Sequence, residues 1–302
     1  MSALQHLGLE RGRDWYTIGY WAWELPSFPD GWELAFKYLS ELWTISEFSA
    51  RALRQHSMAL DIHVYGHAVH APNEPQAERN RYGWSDKQTV FLTMADSMSS
   101  FQRKNPFATI AAFKQAFGQN SNMRLVVKTR NIDRNETAKA DLLSSIGDSQ
   151  NIELIDESLS EFDRWVLIQS VDAIVSLHRS EGFGLVLAEA MTLGKAVICT
   201  DWSGNMDFTT PETAALVKST LIACEDEYGV YGDTSSVWAE PDQEDAVRQL
   251  RRVAEDSTYR ARISGAGQRF IQSEASPSAI GKRMAGRLAA LPTDPTKVSL
   301  EN

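Results

Sequence analysis

The residues from Asp172 to Phe208, DAIVSLHRSEGFGLVLAEAMTLGKAVICTDWSGNMDF, leave this chain few folds to choose from. Asp172 to Leu177 is a short apolar run, rich in β-branched side chains and bounded by polar ones, which predicts a strand buried on both faces. From Gly184 to Leu193 the apolar residues recur at helical spacing. Gly194 then supplies a stop, and Lys195 to Thr200 predicts another buried strand. A strand, loop, helix, strand unit of this kind belongs to an α/β fold with a parallel sheet.

The loop before the helix holds Ser180, Glu181, Gly182, Phe183 and Gly184. Glycines at a helix start let backbone approach a ligand closely, and the free N–H groups with the helix dipole favour an anion there. Glu189 lies five residues past Gly184, about 7–8 Å further along the axis at 1.5 Å per residue. Glu181 and Glu189 therefore bracket the anion site. Carboxylates repel phosphate but accept hydrogen bonds from vicinal hydroxyls, each charge-assisted bond contributing roughly 1.5–3 kcal/mol. A guest with sugars on both sides of a pyrophosphate satisfies every group.

Glu181 and Glu189, with seven residues between them, resemble the glutamate pair of GT-B glycosyltransferases. The wording SLHRSEGFGLVLAEAM looks like glycosyltransferase family 4. The resemblance implies two Rossmann-like parallel-sheet domains and a retaining transfer of sugar from a nucleoside diphosphate donor, GDP- or UDP-linked. An ordinary βαβ unit with a solvated glutamate is the bland alternative, since fold alone does not give function.

Composition narrows the partners. The chain has 302 residues, room for two ordinary domains, and a formal net charge of -10, which argues against a nucleic-acid binder. No apolar run reaches the length of a membrane span, and MSALQHLGLERGRDW lacks the apolar core of a signal peptide. The expectation is a cytoplasmic protein, with at most peripheral association at the inner face of the cytoplasmic membrane. Cys199 and Cys224 read as free thiols. Asn135-Glu136-Thr137 matches a glycosylation sequon that carries no meaning without secretion.

Residues 1–66 predict alternating elements: strands at Tyr16–Tyr20, Leu42–Ile45 and Asp61–Tyr65, and helices at Asp30–Ser40 and Glu47–Gln55, the latter capped by Ser46. Three strands make a small parallel layer. IGYWAWELPSFPDGW and ELWTISEFSARAL look like the closing part of the acceptor-side domain of bacterial family 4 enzymes, so this domain is expected to be incomplete. Trp21, Trp23 and Glu24 match the family wording there. The rings either stack on a sugar or pack in a core. Residues 67–86, polar and without periodicity, predict an interdomain linker, and His63, His67 and His70 straddle a strand end and this loop rather than one helix face.

The donor domain is expected over residues 87–275, with a C-terminal helix and tail over 276–302. Its first strand, Thr89–Thr93, is followed by the loop MADSMSSFQRKNP and a helix from Phe107 to Phe117, with Pro106 in the first turn. Asp96, Ser99, Arg103, Lys104, Asn105 and Pro106 match the family wording. Arg103 and Lys104 arrive at the carboxyl end of the strand, where open α/β sheets bind ligands. Relatives carry a further arginine where this chain has Met98, and Ser99 or Lys128 are the candidates to compensate.

Further strands are expected at Met123–Lys128 and Asn151–Ile155, a helix at Glu161–Ser170, and a short strand at Ala214–Val217. Residues 219–240 predict irregular chain. Helices follow at Asp242–Ala254 and Ser257–Phe270, and Ser276 caps a last one with Pro277 at its first position; the resemblance to GT-B enzymes implies that this last segment, Ala275 to Leu291, packs back on the first domain. By resemblance the nucleobase lies against Ile155, Asp156 and Glu157, while Asn205 reaches the donor. His178 either faces the donor or fills the sheet end.

These residues imply a metal-independent hexosyltransferase without cofactor, acting on a glycan or lipid-linked acceptor in bacterial surface polysaccharide assembly, including lipopolysaccharide. Mannose from GDP-mannose is the first choice of sugar. Arg103, Lys104 and the N–H groups of Gly182, Phe183, Gly184 and Leu185 would oppose the growing charge of the diphosphate. Glu189 would bind ribose, and Glu181 the donor sugar. No Asp-x-Asp triplet occurs to hold a metal-bound diphosphate. The alternatives are a non-catalytic nucleotide-sugar-binding subunit, or an epimerase or phosphorylase on the same frame.

Overall fold

Two short apolar runs near the start cannot each be buried alone, and they pair. In the computed structural model, which describes residues 16–56, 60–72, 74–97, 99–226, 231 and 235–291, β1 (Ile18–Trp21), β2 (Glu41–Thr44) and β3 (Ile62–Val64) form a parallel sheet with β2 in the centre. The segment expected as a helix from Asp30 is a 3₁₀ helix, Trp32–Tyr38, started by Gly31 in the left-handed region. Helix α1 (Glu47–Arg54) begins at Ser46, whose hydroxyl accepts from the Ser49 N–H, and it buries Phe48, Ala50, Ala52 and Leu53. The N-terminal segment and the tail after Leu291 lie outside the described residues.

The larger sheet is built around β4 (Thr89–Asp96), whose residues Val90, Phe91 and Leu92 are fully buried. It contains β5 (Met123–Arg130), β6 (Ile152–Asp156), β7 (Ala173–Ser176), β8 (Ala196–Thr200) and β9 (Ala215–Val217). The strand order is β6-β5-β4-β7-β8-β9, with all neighbours parallel. Consecutive strands step outward from β4 in one direction and then from β7 in the other. The crevice between β4 and β7, at the carboxyl ends of the strands, is thus the switch point where such sheets receive ligands. Helices α2 (Phe101–Lys104), α3 (Pro106–Phe117), α4 (Glu136–Ile146), α5 (Glu161–Ser170) and α6 (Leu185–Thr192) connect these strands. They are followed by β10 (Ser219–Ala223), β11 (Val237–Pro241), α7 (Gln243–Glu255), α8 (Ser257–Glu274) and α9 (Pro277–Ala289).

The structure corrects the sequence reading in four places. Residues 219–240 are not irregular throughout: β10 and β11 pair antiparallel, and Trp238 is buried with Cys224 against Trp23 and Leu42 of the first sheet. The loop after β4 contains a turn of helix, α2. Helix α4 was not expected; Asn135 of the apparent sequon caps it by accepting from the Ala138 N–H. Residues 67–86 are no loose linker, since they form a 3₁₀ helix at Arg79–Tyr82 and bury Val69 and Trp84.

The last helix returns to the first sheet as expected. Glu41 has no exposed surface, and Arg287 of α9 clamps its carboxylate, with Nη2 at 2.6 Å and Nε at 3.0 Å from both oxygens. Tyr16 donates to the same group at 2.7 Å. Burial favours the neutral carboxyl, but these donors outweigh it and hold the Glu41 pKa low. Arg287→Ala strands that charge, and the expected loss is about 2 kcal/mol, below the usual range for a broken buried pair because Arg287 is a quarter exposed. A guanidinium melt checks it.

Candidate functional site

Two loops face each other across the switch point. From β4 comes the segment ending in α2, a single turn that Ser100 starts by accepting from the Arg103 N–H. Asn105 stops that turn in the left-handed region at φ 49°, and its side chain caps α3. The turn carries Arg103 and Lys104. From β7 comes the loop Leu177–Gly184, carrying Glu181.

These side chains meet. Lys104 Nζ lies 2.5 Å and Arg103 Nη1 3.3 Å from Glu181 Oε1. Arg103 also donates to the Ser180 carbonyl at 2.8 Å and to Ser99 Oγ at 2.9 Å. Ser99 therefore orients Arg103 rather than replacing a cation. Met98 lies outside the described residues. Burial alone would raise the Glu181 carboxyl; Lys104 and Arg103 overcome it and hold the pKa at about 2. Burial likewise lowers the Lys104 ammonium, opposed by Glu181.

The glycines do what a close backbone approach demands. Gly184 starts α6 at φ 89°, and the N–H groups of Gly182, Phe183, Gly184 and Leu185 donate no hydrogen bond to any described residue. They remain open to an anion. The loop is pinned from behind, because the Gly204 N–H donates to the Glu181 carbonyl at 2.8 Å and Ser203 Oγ accepts from the Glu181 N–H at 2.8 Å. It is also pinned from the first sheet, where the Glu24 carbonyl accepts from Ser180 Oγ and a Cβ on Gly182 would meet Ile45 and the Trp23 carbonyl at 3.1 Å.

Beside this cluster a cavity of about 390 Å³ opens along the ends of β4 and β5, lined by Lys104, Lys128, Arg130, Glu157, Arg164 and Val186 among others. Lys128 Nζ donates to the Thr129 carbonyl and to that of Glu157, the latter at 2.5 Å. Glu189, almost fully buried, is paired through Oε2 with Arg164 Nη1, and Arg164 stands on the cavity wall while Glu189 lies behind it. Burial raises the Glu189 carboxyl, with Arg164 opposing.

Other candidates are placed elsewhere. His178 is fully buried beneath the loop, its Nδ1 3.0 Å from Ser176 Oγ and its Nε2 3.0 Å from Asn205 Oδ1, so it fills the sheet end. Asn205 is equally buried and donates to Thr200 and Thr209. Ile155 is partly buried and packs against the core with part of its surface free, and the Phe183 ring packs against His67 and Phe208, whereas Leu185 is exposed. Trp21 stacks with Phe28 and Phe36 and the buried Trp23 meets Phe28 edge-on, the packing alternative. Among the described residues no three His, Cys, Asp or Glu side chains gather as metal ligands. Sequence reasoning missed Arg164, because its role depends on a carboxylate 25 residues away.

A six-stranded parallel sheet with an anion-receptive helix start at its switch point, faced by a second parallel layer, is the GT-B architecture. Solved structures share it: HepE of Anabaena in complex with UDP, with a TM-score of 0.71 and 14% identity over 91% of this chain and 72% of that one, and sucrose-phosphate synthase of Thermosynechococcus elongatus, with 0.66 and 16% over 85% and 59%. WaaG, a glycosyltransferase involved in lipopolysaccharide biosynthesis, aligns with a TM-score of 0.61 and 18% identity over 85% of this chain and 63% of that one. This chain spans 59% of the synthase and 63% of WaaG, less than two thirds of either. The chain belongs to the glycosyl transferases group 1 family, whose profile matches residues 75–270. No curated protein matches it in sequence.

Proposed function

We propose that this chain is a retaining glycosyltransferase of family 4 that moves a hexose from a nucleoside diphosphate sugar to a glycan or lipid-linked acceptor. The observation that carries the reading is the Arg103–Lys104–Glu181 cluster, held across the switch point beside the open N-terminus of α6. HepE binds UDP and UDP-glucose, and TarM is described in complex with UDP, which supports a nucleotide-sugar donor. We place its work in the cytoplasm, with at most peripheral association at the inner membrane face. Among the described residues no helix is long and apolar enough to cross a membrane. WaaG supports a role in surface polysaccharide assembly, and mannose from GDP-mannose remains the first sugar to try.

The chemistry follows from charge. An entering diphosphate competes with Glu181 for Lys104 and Arg103, and the open N–H groups of Gly182 to Leu185 complete its cage. As the anomeric carbon–oxygen bond breaks with its electron pair on the diphosphate, these preorganised donors stabilise the growing charge. Glu181, relieved of one cation, accepts from a hydroxyl of the donor sugar, while Glu189 accepts from the ribose.

A thermal-shift panel of GDP, UDP and ADP sugars tests the reading, since a ligand bound only by the native state raises its stability. No shift with any of them overturns it; a shift without nucleotide release favours a binding subunit, and an epimerised donor an epimerase. Glu189→Ala is expected to weaken binding of the best donor more than tenfold, by loss of two hydroxyl bonds. Isothermal titration checks this. Activity should survive EDTA; loss restored by Mg²⁺ or Mn²⁺ would refute metal independence.

A further inference from the structure

Glu189 is a carboxylate in an unusual position. Its side chain is only 4% exposed, and its one ionic partner among the described residues is Arg164, which reaches from α5 across to α6. The guanidinium also lies over the Trp165 ring, its carbon 5.6 Å from the centroid, which fixes its plane. The remaining elements packed on α6 bring no charge to it. From α8 come Gly267 against Met191 and Gln268, whose amide donates to the Thr192 carbonyl at 3.1 Å, and β7 and β8 present AIVS and AVICT. The other charged group acting on Glu189 is Glu161, on α5 itself, and it opposes ionisation.

We infer that Arg164 is a positioning residue for the donor: it keeps Glu189 ionised in a buried place just behind the cavity wall and leaves one carboxylate oxygen unpaired beside a guanidinium on that wall. This rests on the donor-site reading above. Arg164 grips Oε2, and Oε1 has no partner among the described residues. A vicinal diol is suited to that oxygen, because its hydroxyls donate to the carboxylate while the guanidinium holds the carboxylate's other oxygen. The pair is distinct from the diphosphate cage. Arg164 and Lys128 share the wall of the cavity with Glu157, so the diol enters between α5 and the end of β5.

Without Arg164, Glu189 keeps its burial and its repulsion from Glu161 but loses its counter-charge. Its carboxyl then protonates more readily, and protonation removes an acceptor for the diol. Affinity in the variant therefore falls as pH falls, and recovers as pH rises and the carboxyl ionises. A merely structural arginine would lower affinity equally at all pH values.

The test is titration of UDP-glucose and GDP-mannose, whose diphosphates carry no proton titrating between pH 6 and 8.5, into the full chain and its variants across that range. Wild type is expected to vary less than threefold with pH. Arg164→Ala should bind more than tenfold weaker at pH 6 and within about threefold of wild type at pH 8.5, and Arg164→Lys should recover most of the loss at pH 6. If Arg164→Ala unfolds, Arg164→Gln gives the same comparison. Unchanged or tighter binding, a loss independent of pH, or no rescue by lysine overturns the inference while leaving the donor reading intact. Failure of the wild type to bind either sugar nucleotide overturns the donor reading itself, and this inference with it.

Discussion

Lys104→Ala is expected to lower turnover by about 100- to 1000-fold while the protein stays folded, the scale seen when one preorganised donor is removed from a developing anion. Lys104 closes on Glu181 at 2.5 Å with a partly exposed head, so its loss leaves no cavity of consequence and Arg103 still holds the carboxylate. A second consequence separates this from simple loss of affinity. Glu181 is held at about 2 largely by Lys104, with Arg103 next. A depressed carboxyl contributes stability that is present above its unfolded value, near 4.3, and is lost as pH falls through about 2. In the variant that contribution should be smaller and its loss complete at a higher pH. Single-turnover release of nucleotide measures the first effect, and acid unfolding followed by tryptophan fluorescence measures the second. An equal fall in donor affinity and turnover would reduce Lys104 to a binding role.

Gly204→Ala should be the most damaging added methyl among the described glycines. A Cβ there would stand 1.9 Å from the Gly182 carbonyl oxygen and 2.9 Å from that of Glu181. Both are backbone atoms, so no side chain can swing aside. The 3₁₀ turn Gly204–Asp207 or the glycine loop has to move, and the Gly204 N–H bond to Glu181 breaks with it. We expect donor binding to be abolished and the melting temperature to fall by roughly 5–10 °C, as several kcal/mol of clash in a domain of this size implies. Gly281→Ala is the control, because nothing lies within 4 Å of its added carbon. Calorimetry on both variants decides the matter.

How much of this was legible beforehand depended on whether the signal was local. Ser46 and α1 were readable because the cap and the helix it starts are adjacent in sequence, and the cap accepts from the Ser49 N–H as expected. The Arg103–Lys104–Glu181 cluster was readable at one remove, since two motifs each pointed to the carboxyl edge of a strand. Arg164 was not, because nothing near it in sequence names Glu189. The β10–β11 hairpin was hidden for a related reason: its outer face leaves Leu221 exposed, and its order comes from packing Trp238 against the first sheet. Helix α4 carries Ala138, Leu142 and Ile146 at four-residue steps, yet its polar remainder and the sequon wording masked that stripe. Asn205 sits one layer below the surface to which sequence reasoning assigned it, and His178, for which both places were open, fills the sheet end, because their side chains bond each other.

The clamp of Arg287 on Glu41 also sets an order of events during synthesis. A ribosome delivers Glu41 to solvent 246 residues before its partner. Until α9 emerges, the central strand of the first sheet must either keep a charged carboxylate in water or bury it with Tyr16 and Trp43 as donors but without its guanidinium. The first sheet therefore closes last although it is made first, and a nascent chain arrested before residue 287 should present that sheet open to proteases while the larger sheet is already protected.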